Sequence, residues 1–261
     1  MTLKRGVFRV FLLVVLTLGL LLVGPAWMLA SGMIVTDAHW STLDRSSSGL
    51  APHPDASADA VIQVYAAHTY NWRGAFGVHP WIAMKKPGAS HYYIYQVMSW
   101  RRPTVVAAED MPDRAWYGNT PSLLADYRGE DAAALIPAIE EAIARYPSAE
   151  QYRIWPGPNS NTFVAWVARE VDGFDVTLPV TAVGKDYLFD TLIAPVPSGT
   201  GYQLSLGGMA GLLIALEEGI EINLLGLSVG IDVKHPALKL PGVGRLGMPA
   251  NVLGNGPFET P

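Results

Sequence analysis

The sequence predicts an α+β protein behind a single membrane-crossing helix, and three observations carry that reading. A long uncharged apolar run lies close to the N-terminus. The middle of the chain holds short β-branched and aromatic runs, followed by two stretches with helical spacing. The last part is rich in Gly and Pro and broken into strand-length apolar pieces. Composition agrees: of 261 residues, 50% are hydrophobic and only 16% are charged, the apolar side of ordinary globular usage.

Residues 1–35 form the transmembrane anchor or signal segment. Lys4, Arg5 and Arg9 precede the apolar run at 10–29, and no charge follows until Asp37. About twenty apolar residues cross a bilayer core as a helix. The basic cluster on the N-terminal side predicts a cytoplasmic N-terminus. The expected location is therefore the bacterial inner membrane, single-pass, with the C-terminal part periplasmic. Gly24-Pro25-Ala26 offers a signal-peptidase-like site after Ala26. Trp27, Met28 and Leu29 continue the apolar character past it and favour an uncleaved anchor.

Residues 36–60, rich in Ser, Ala, Pro and Asp, read as an exposed linker. An α+β core is expected over 61–190 and a Gly/Pro-rich strand-and-turn extension over 191–261. Within the core, VIQVYAAH at 61–68 is a strand. Two further strands flank Lys86-Pro87-Gly88-Ala89, where Pro presets φ and Gly accepts a positive φ. Leu135, Ile139, Ala142, Ile143 and Tyr146 share a helical face, with Pro137 expected to delay regular helix until about Leu135. A second helix begins at Ser160, burying Phe163, Val164, Val167 and Val171, with Gly173 near its end. Tyr92, Tyr93, Tyr95, Trp100 and Trp166 are core candidates. In the extension, Glu217, Glu218 and Glu221 interrupt the apolar runs and argue against a second membrane span.

Several chemistries are excluded or unsupported. The chain has no cysteine, so disulfides, thiolate metal sites and a thiol nucleophile are out. A net charge of −5 gives no footprint for nucleic acid. His39, His53 and His235 show no metal-ligand spacing, and no metal or cofactor is expected. Glu217-Glu218-Gly219 reads as a turn.

The residues that could carry chemistry are Ser160 and His79. Ser160 sits at the start of an amphipathic helix, where free amides and the helix dipole favour negative charge. If the hairpin turn centres on Pro87-Gly88, His79 faces Gln96 across the strands and His91 faces Met84. A carboxamide beside an imidazole can fix its tautomer, so Ser160, His79 and Gln96 have the types of a nucleophile, its base and an orienter. Asn159, Asn161 and Trp155 flank the serine and are candidate substrate contacts. His68 is a second candidate base. In the plain structural alternative, Ser160 is the helix N-cap, worth about 1 kcal/mol.

Asn159-Ser160-Asn161-Thr162-Phe163, preceded by a histidine opening a strand, resembles the cysteine motif of circularly permuted papain-like proteins. Those include cell-wall peptidase relatives and lecithin:retinol acyltransferase-like enzymes. The resemblance implies that Ser160 stands at the nucleophile's position, His79 at the base's and Gln96 at a third polar position. Serine in place of cysteine departs from the pattern and requires a stronger base. The anchor, WPGPNSNTF and the LEEGIEINLLGLSVGIDVKHPALKLPGVGRLG tail together resemble the bacterial domain-of-unknown-function 3750 family.

The expected function is a membrane-anchored hydrolase or acyltransferase with a serine nucleophile, acting on amide or ester bonds of cell-wall peptide or lipid. The alternative is a non-catalytic envelope binding or scaffold protein of the same fold. A third reading makes the Gly-rich half a membrane-contacting module.

Overall fold

The computed structural model describes residues 2–257. Helix α1 spans Thr2–Ala30 and contains Pro25. Between Arg5 and Ala30 it is long and apolar enough to cross a membrane, and it is almost wholly exposed apart from Leu21, Gly24, Pro25 and Met28. Small residues let its second half meet the rest of the chain. A Cβ on Gly24 would lie 2.0 Å from the Pro241 carbonyl oxygen, and one on Gly242 would lie 2.8 Å from the Pro25 nitrogen. Met28 packs there with Ile34, Ala75 and Val243.

The first sheet contains β1 (Val61–His68), β2 (Val78–Lys85), β3 (Tyr93–Val97), β4 (Val105–Glu109) and β5 (Ser122–Arg128). Helices α2 (Gly129–Ala144) and α3 (Ser160–Glu170) follow. The second sheet is built from β6 (Ile193–Pro195), β7 (Gly201–Leu206), β8 (Ala210–Ala215), β9 (Gly219–Leu224), β10 (Leu227–Asp232), β11 (Ala237–Leu240) and β12 (Gly244–Gly247). A last short strand, β13 (Leu253–Gly254), returns to the first sheet. There the order is β13-β5-β1-β2-β3-β4, antiparallel except for the β13–β5 pair. The architecture is α+β, as the sequence predicts.

The first sheet is covered on both faces, which explains why β2 is buried along its whole length. Ile62, Val64, Val78, Ile82 and Met84 face α2 and α3, meeting Ile136, Ile139, Phe163, Val164 and Val167. Alternate residues Tyr65, Ala67, Trp81 and Ala83 face the other way and pack with Tyr92, Ile94, Leu50 and Trp116. The 36–60 segment supplies part of that second cover and is no free linker. Asp113 accepts from Ser47 Oγ and from the Leu50 and Ala51 amides, and buried Lys85 donates to the carbonyls of Ser57 and Asp59.

Three expectations need correction. Helix α2 starts at Gly129 rather than near Leu135. Pro137 removes one amide donor, but Ala132, Ile136 and Ile139 stay buried around it and that packing keeps the helix continuous. The Lys86–Ala89 turn forms, with Gly88 at φ 70°. The strands beyond it pair Met84 with Tyr93 and Ile82 with Tyr95, so the register lies two residues from the one centred on the turn. The chain loops through His91 and Tyr92 before β3 begins, which absorbs the difference. A shift of two preserves which face each side chain takes. Of the aromatic core candidates, Tyr92 is buried, whereas Tyr93 and Trp100 are exposed.

Candidate functional site

Asn159, not Ser160, caps α3. Its Oδ1 accepts from the amides of Asn161 (2.9 Å) and Thr162 (3.2 Å), and Thr162 Oγ1 accepts from the Asn159 amide in return. This capping box satisfies the free donors of the first turn. Asn159 Nδ2 also reaches the carbonyls of Ile154 and Val183. Asn161 Nδ2 donates to the carbonyls of Val78 (3.1 Å) and Val183 (2.8 Å), pinning the helix start to β2. Both side-chain amides proposed as substrate contacts are thus engaged with the protein's own backbone. Trp155 is half-exposed, and its indole nitrogen donates to the Leu225 carbonyl at 2.7 Å. It docks the WPGP turn onto the second sheet.

Ser160 is the first helical residue and is only 2% exposed. The Tyr152 hydroxyl lies within hydrogen-bonding reach of it. Burial raises the Tyr152 pKa, opposed by that hydrogen bond and by the Arg73 charge.

His79 and Gln96 do come together. His79 Nε2 stands 2.9 Å from Gln96 Oε1, an oxygen that can only accept, so Nε2 carries the proton. The ring stacks on Trp116 with centroids 3.9 Å apart. Burial lowers its pKa to about 4, against the opposing pull of the Gln96 bond. The pair is diagonal across the shifted register, since Gln96 lies one step beyond the Ile82–Tyr95 pair.

The structure does not bring His79 to Ser160. His79 belongs with Trp81 and Ala83 on the face of the sheet away from α3, while Ser160 starts the helix on the opposite face. Strand alternation decides this, because only even-numbered residues of β2 look toward the helices. The histidine on the helix side is His68, which pairs with Val78 at the end of β1. Its Nδ1 lies 2.7 Å from the Gly74 carbonyl, leaving Nε2 as the unprotonated nitrogen of the neutral ring. Val78 is the residue whose carbonyl takes the Asn161 amide, so His68 and the start of α3 share one end of the sheet.

A concave site lies elsewhere. A cleft of about 110 Å³ opens on the outer face of the first sheet, lined by Arg45, Trp81, Gln96, Arg114, Trp116 and Tyr117 among others. The Arg45 guanidinium lies over the Tyr117 ring, 4.6 Å from its centroid, and Arg114 pairs with Asp110. The sequence reading placed His79 and Gln96 on one face, but nothing in it marked Trp81, Arg45 or Trp116 as their neighbours. Among the described residues, no group of three His, Cys, Asp or Glu side chains is placed to hold a metal ion.

Residues 59–187 match the family described as "Protein of unknown function (DUF3750)". Over that stretch the chain is similar to the DUF3750 family. No curated protein and no solved structure matches it. The DUF3750 region runs from just before β1 through β5, α2 and α3 to Tyr187, leaving out only β13 of the first sheet. The capping box, the His79–Gln96 pair and most of the cleft lining fall within it; Arg45 and the whole second sheet fall outside it.

Proposed function

We propose that this protein is a membrane-anchored envelope domain that binds its ligand through the aromatic cleft rather than transforming it at Ser160. The reading rests on one observation: the serine is buried at the start of α3 on the helix side of the sheet, and the cleft and the His79–Gln96 pair are on the other side. Trp81, Trp116 and Tyr117 supply flat apolar walls, and the Arg45 guanidinium supplies a charge suited to a carboxylate. A carboxylate-bearing peptide, such as a cell-wall peptide, has that chemistry. In this reading α1 spans the inner membrane, and the basic residues before it favour a periplasmic cleft.

Titration of cell-wall peptides against the full-length protein in micelles, read by tryptophan fluorescence, tests this. Trp116→Ala and Arg45→Ala should each weaken binding, and Ser160→Ala should leave it unchanged. Binding that ignores the first two substitutions and vanishes with the third would sink the proposal.

A second reading, the serine-variant permuted papain-like hydrolase, draws support from the shared position of His68 and the start of α3. In that reading His68, not His79, takes the Ser160 proton, and α3 amides hold the oxyanion. A fluorophosphonate probe that labels wild type, but neither Ser160→Ala nor His68→Ala, would put this reading ahead.

A further inference from the structure

The second sheet is built inside out for a protein in water. Its inward face is polar: Gln203, Ser205, Glu221, Asn223, Ser228, Asp232 and Lys239 are all 4% exposed or less. Its outward face is apolar. One cross-strand row runs Pro195, Tyr202, Ile214, Ile220, Ile231, Leu238, Leu246 over all seven strands. A second runs Ile193, Leu204, Leu212, Ile222, Val229. From Tyr202 to Leu246 every member of the first row is at least 40% exposed. A one-sided antiparallel sheet in water shows the opposite arrangement, and an apolar surface of this extent marks a contact with something other than water.

What covers it follows from α1. Helix α1 touches β10, and its Gly24 and Pro25 press against residues 241 and 242 between β11 and β12. If Arg9 marks one boundary of the hydrocarbon, about twenty residues at 1.5 Å each put the other boundary near Leu29. Gly24 then lies about 7 Å inside it, and Leu21 about 12 Å. The part of the sheet that grips α1 is therefore at membrane depth. We infer that the apolar face of the second sheet lies in the outer leaflet of the same bilayer that α1 crosses, so that the domain is embedded as well as tethered. The inference rests on α1 spanning the membrane. Amphipathic elements of interfacial proteins bury their apolar side about 5–10 Å into the headgroup and acyl boundary, a depth that matches.

The absence of cysteine makes the test direct. Single variants Leu16→Cys, Ile214→Cys, Ile222→Cys and Glu130→Cys of the full chain, each carrying an environment-sensitive fluorophore, are reconstituted in vesicles containing nitroxide-labelled lipid. All four sites are exposed, so the substitutions leave the packing intact. Labels at 16, 214 and 222 should lose most of their emission to the lipid nitroxide, and the label at 130 should keep it. Quenching at 16 with bright, water-exposed labels at 214 and 222 overturns the embedding and leaves the anchor standing. Labels at 214 and 222 that are shielded from water but not quenched by lipid mean a protein cover, such as a second copy of this chain, and also overturn it. An unquenched label at 16 removes the anchor reading and this inference together.

Discussion

Acid should destabilise this protein through His79, and the size of the effect follows from where the ring sits. Burial holds its pKa near 4 against an ordinary 6.5, with the Gln96 hydrogen bond pulling upward. The unfolded chain therefore takes up a proton at a pH where the folded chain refuses it. For this group, stability is level above about pH 6.5, falls as pH drops toward the folded value, and levels again once the buried ring itself is protonated. At 1.36 kcal/mol per unit the whole span is worth about 3 kcal/mol, a large share of an ordinary domain's stability. The measurement is urea unfolding of the full chain in micelles, followed by tryptophan fluorescence at a series of pH values, for wild type and His79→Gln. The variant starts less stable, because it loses the Trp116 stack. Its pH dependence between 6.5 and 4 should be shallower than wild type by about one proton, near 1.4 kcal/mol per pH unit. Identical slopes would mean that the imidazole protonates freely in the folded state, and the burial argument for His79 would fail.

Three further outcomes are expected. Glu221→Gln should cost about 3–5 kcal/mol, because Glu221 is ion-paired with Lys185 (2.8 Å) and Lys239 (2.7 Å) in a layer no more than 5% exposed, and denaturant unfolding should show the loss largely independent of salt. Asn159→Ala removes an acceptor from two helix amides and a donor from two carbonyls, so a loss of about 2 kcal/mol is expected; Asn159→Asp keeps the cap and should lose less in the same assay. Gly242→Ala brings a methyl to 2.3 Å from the Ala75 carbonyl at a positive φ, so it should loosen α1 from the domain, read as faster proteolysis between residues 30 and 60.

Much of the fold was legible because local pattern determines it. The uncharged run gives α1, the Pro-Gly turn gives the β2–β3 hairpin, and the spacing of Phe163, Val164 and Val167 gives the buried side of α3. His79 and Gln96 were legible as neighbours for a subtler reason. A register error of two residues keeps both side chains on one face and still leaves them within diagonal reach. Which face that would be was not legible. Alternation divides a strand into two sets but does not say which set meets a helix far along the chain. The proposed Ser160–His79 meeting depended on that missing piece of information.

The same ambiguity, one level up, explains the second sheet. GIEINL alternates perfectly, and by the habit of soluble proteins its Ile and Leu would be assigned to the core. The structure turns them out and turns Glu221 and Asn223 in. Buried charge is tolerated there because it is paired. Lys185 would have its pKa lowered by burial, yet Asp186 and Glu221 raise it overall, and Asn223 Nδ2 donates to Asp186 at 2.9 Å. Arg169 extends the network to α3 through the carbonyls of Lys185 and Pro195. A sheet joined to its own domain by polar contacts gains little from hydrophobic burial on that side. Its apolar residues can stabilise it only through what lies outside. Transfer of the outward rows into lipid would supply that missing contribution at about 25 cal/mol for each Å² removed from water. The sheet's stability should therefore depend on the membrane more strongly than that of the helix-backed first sheet.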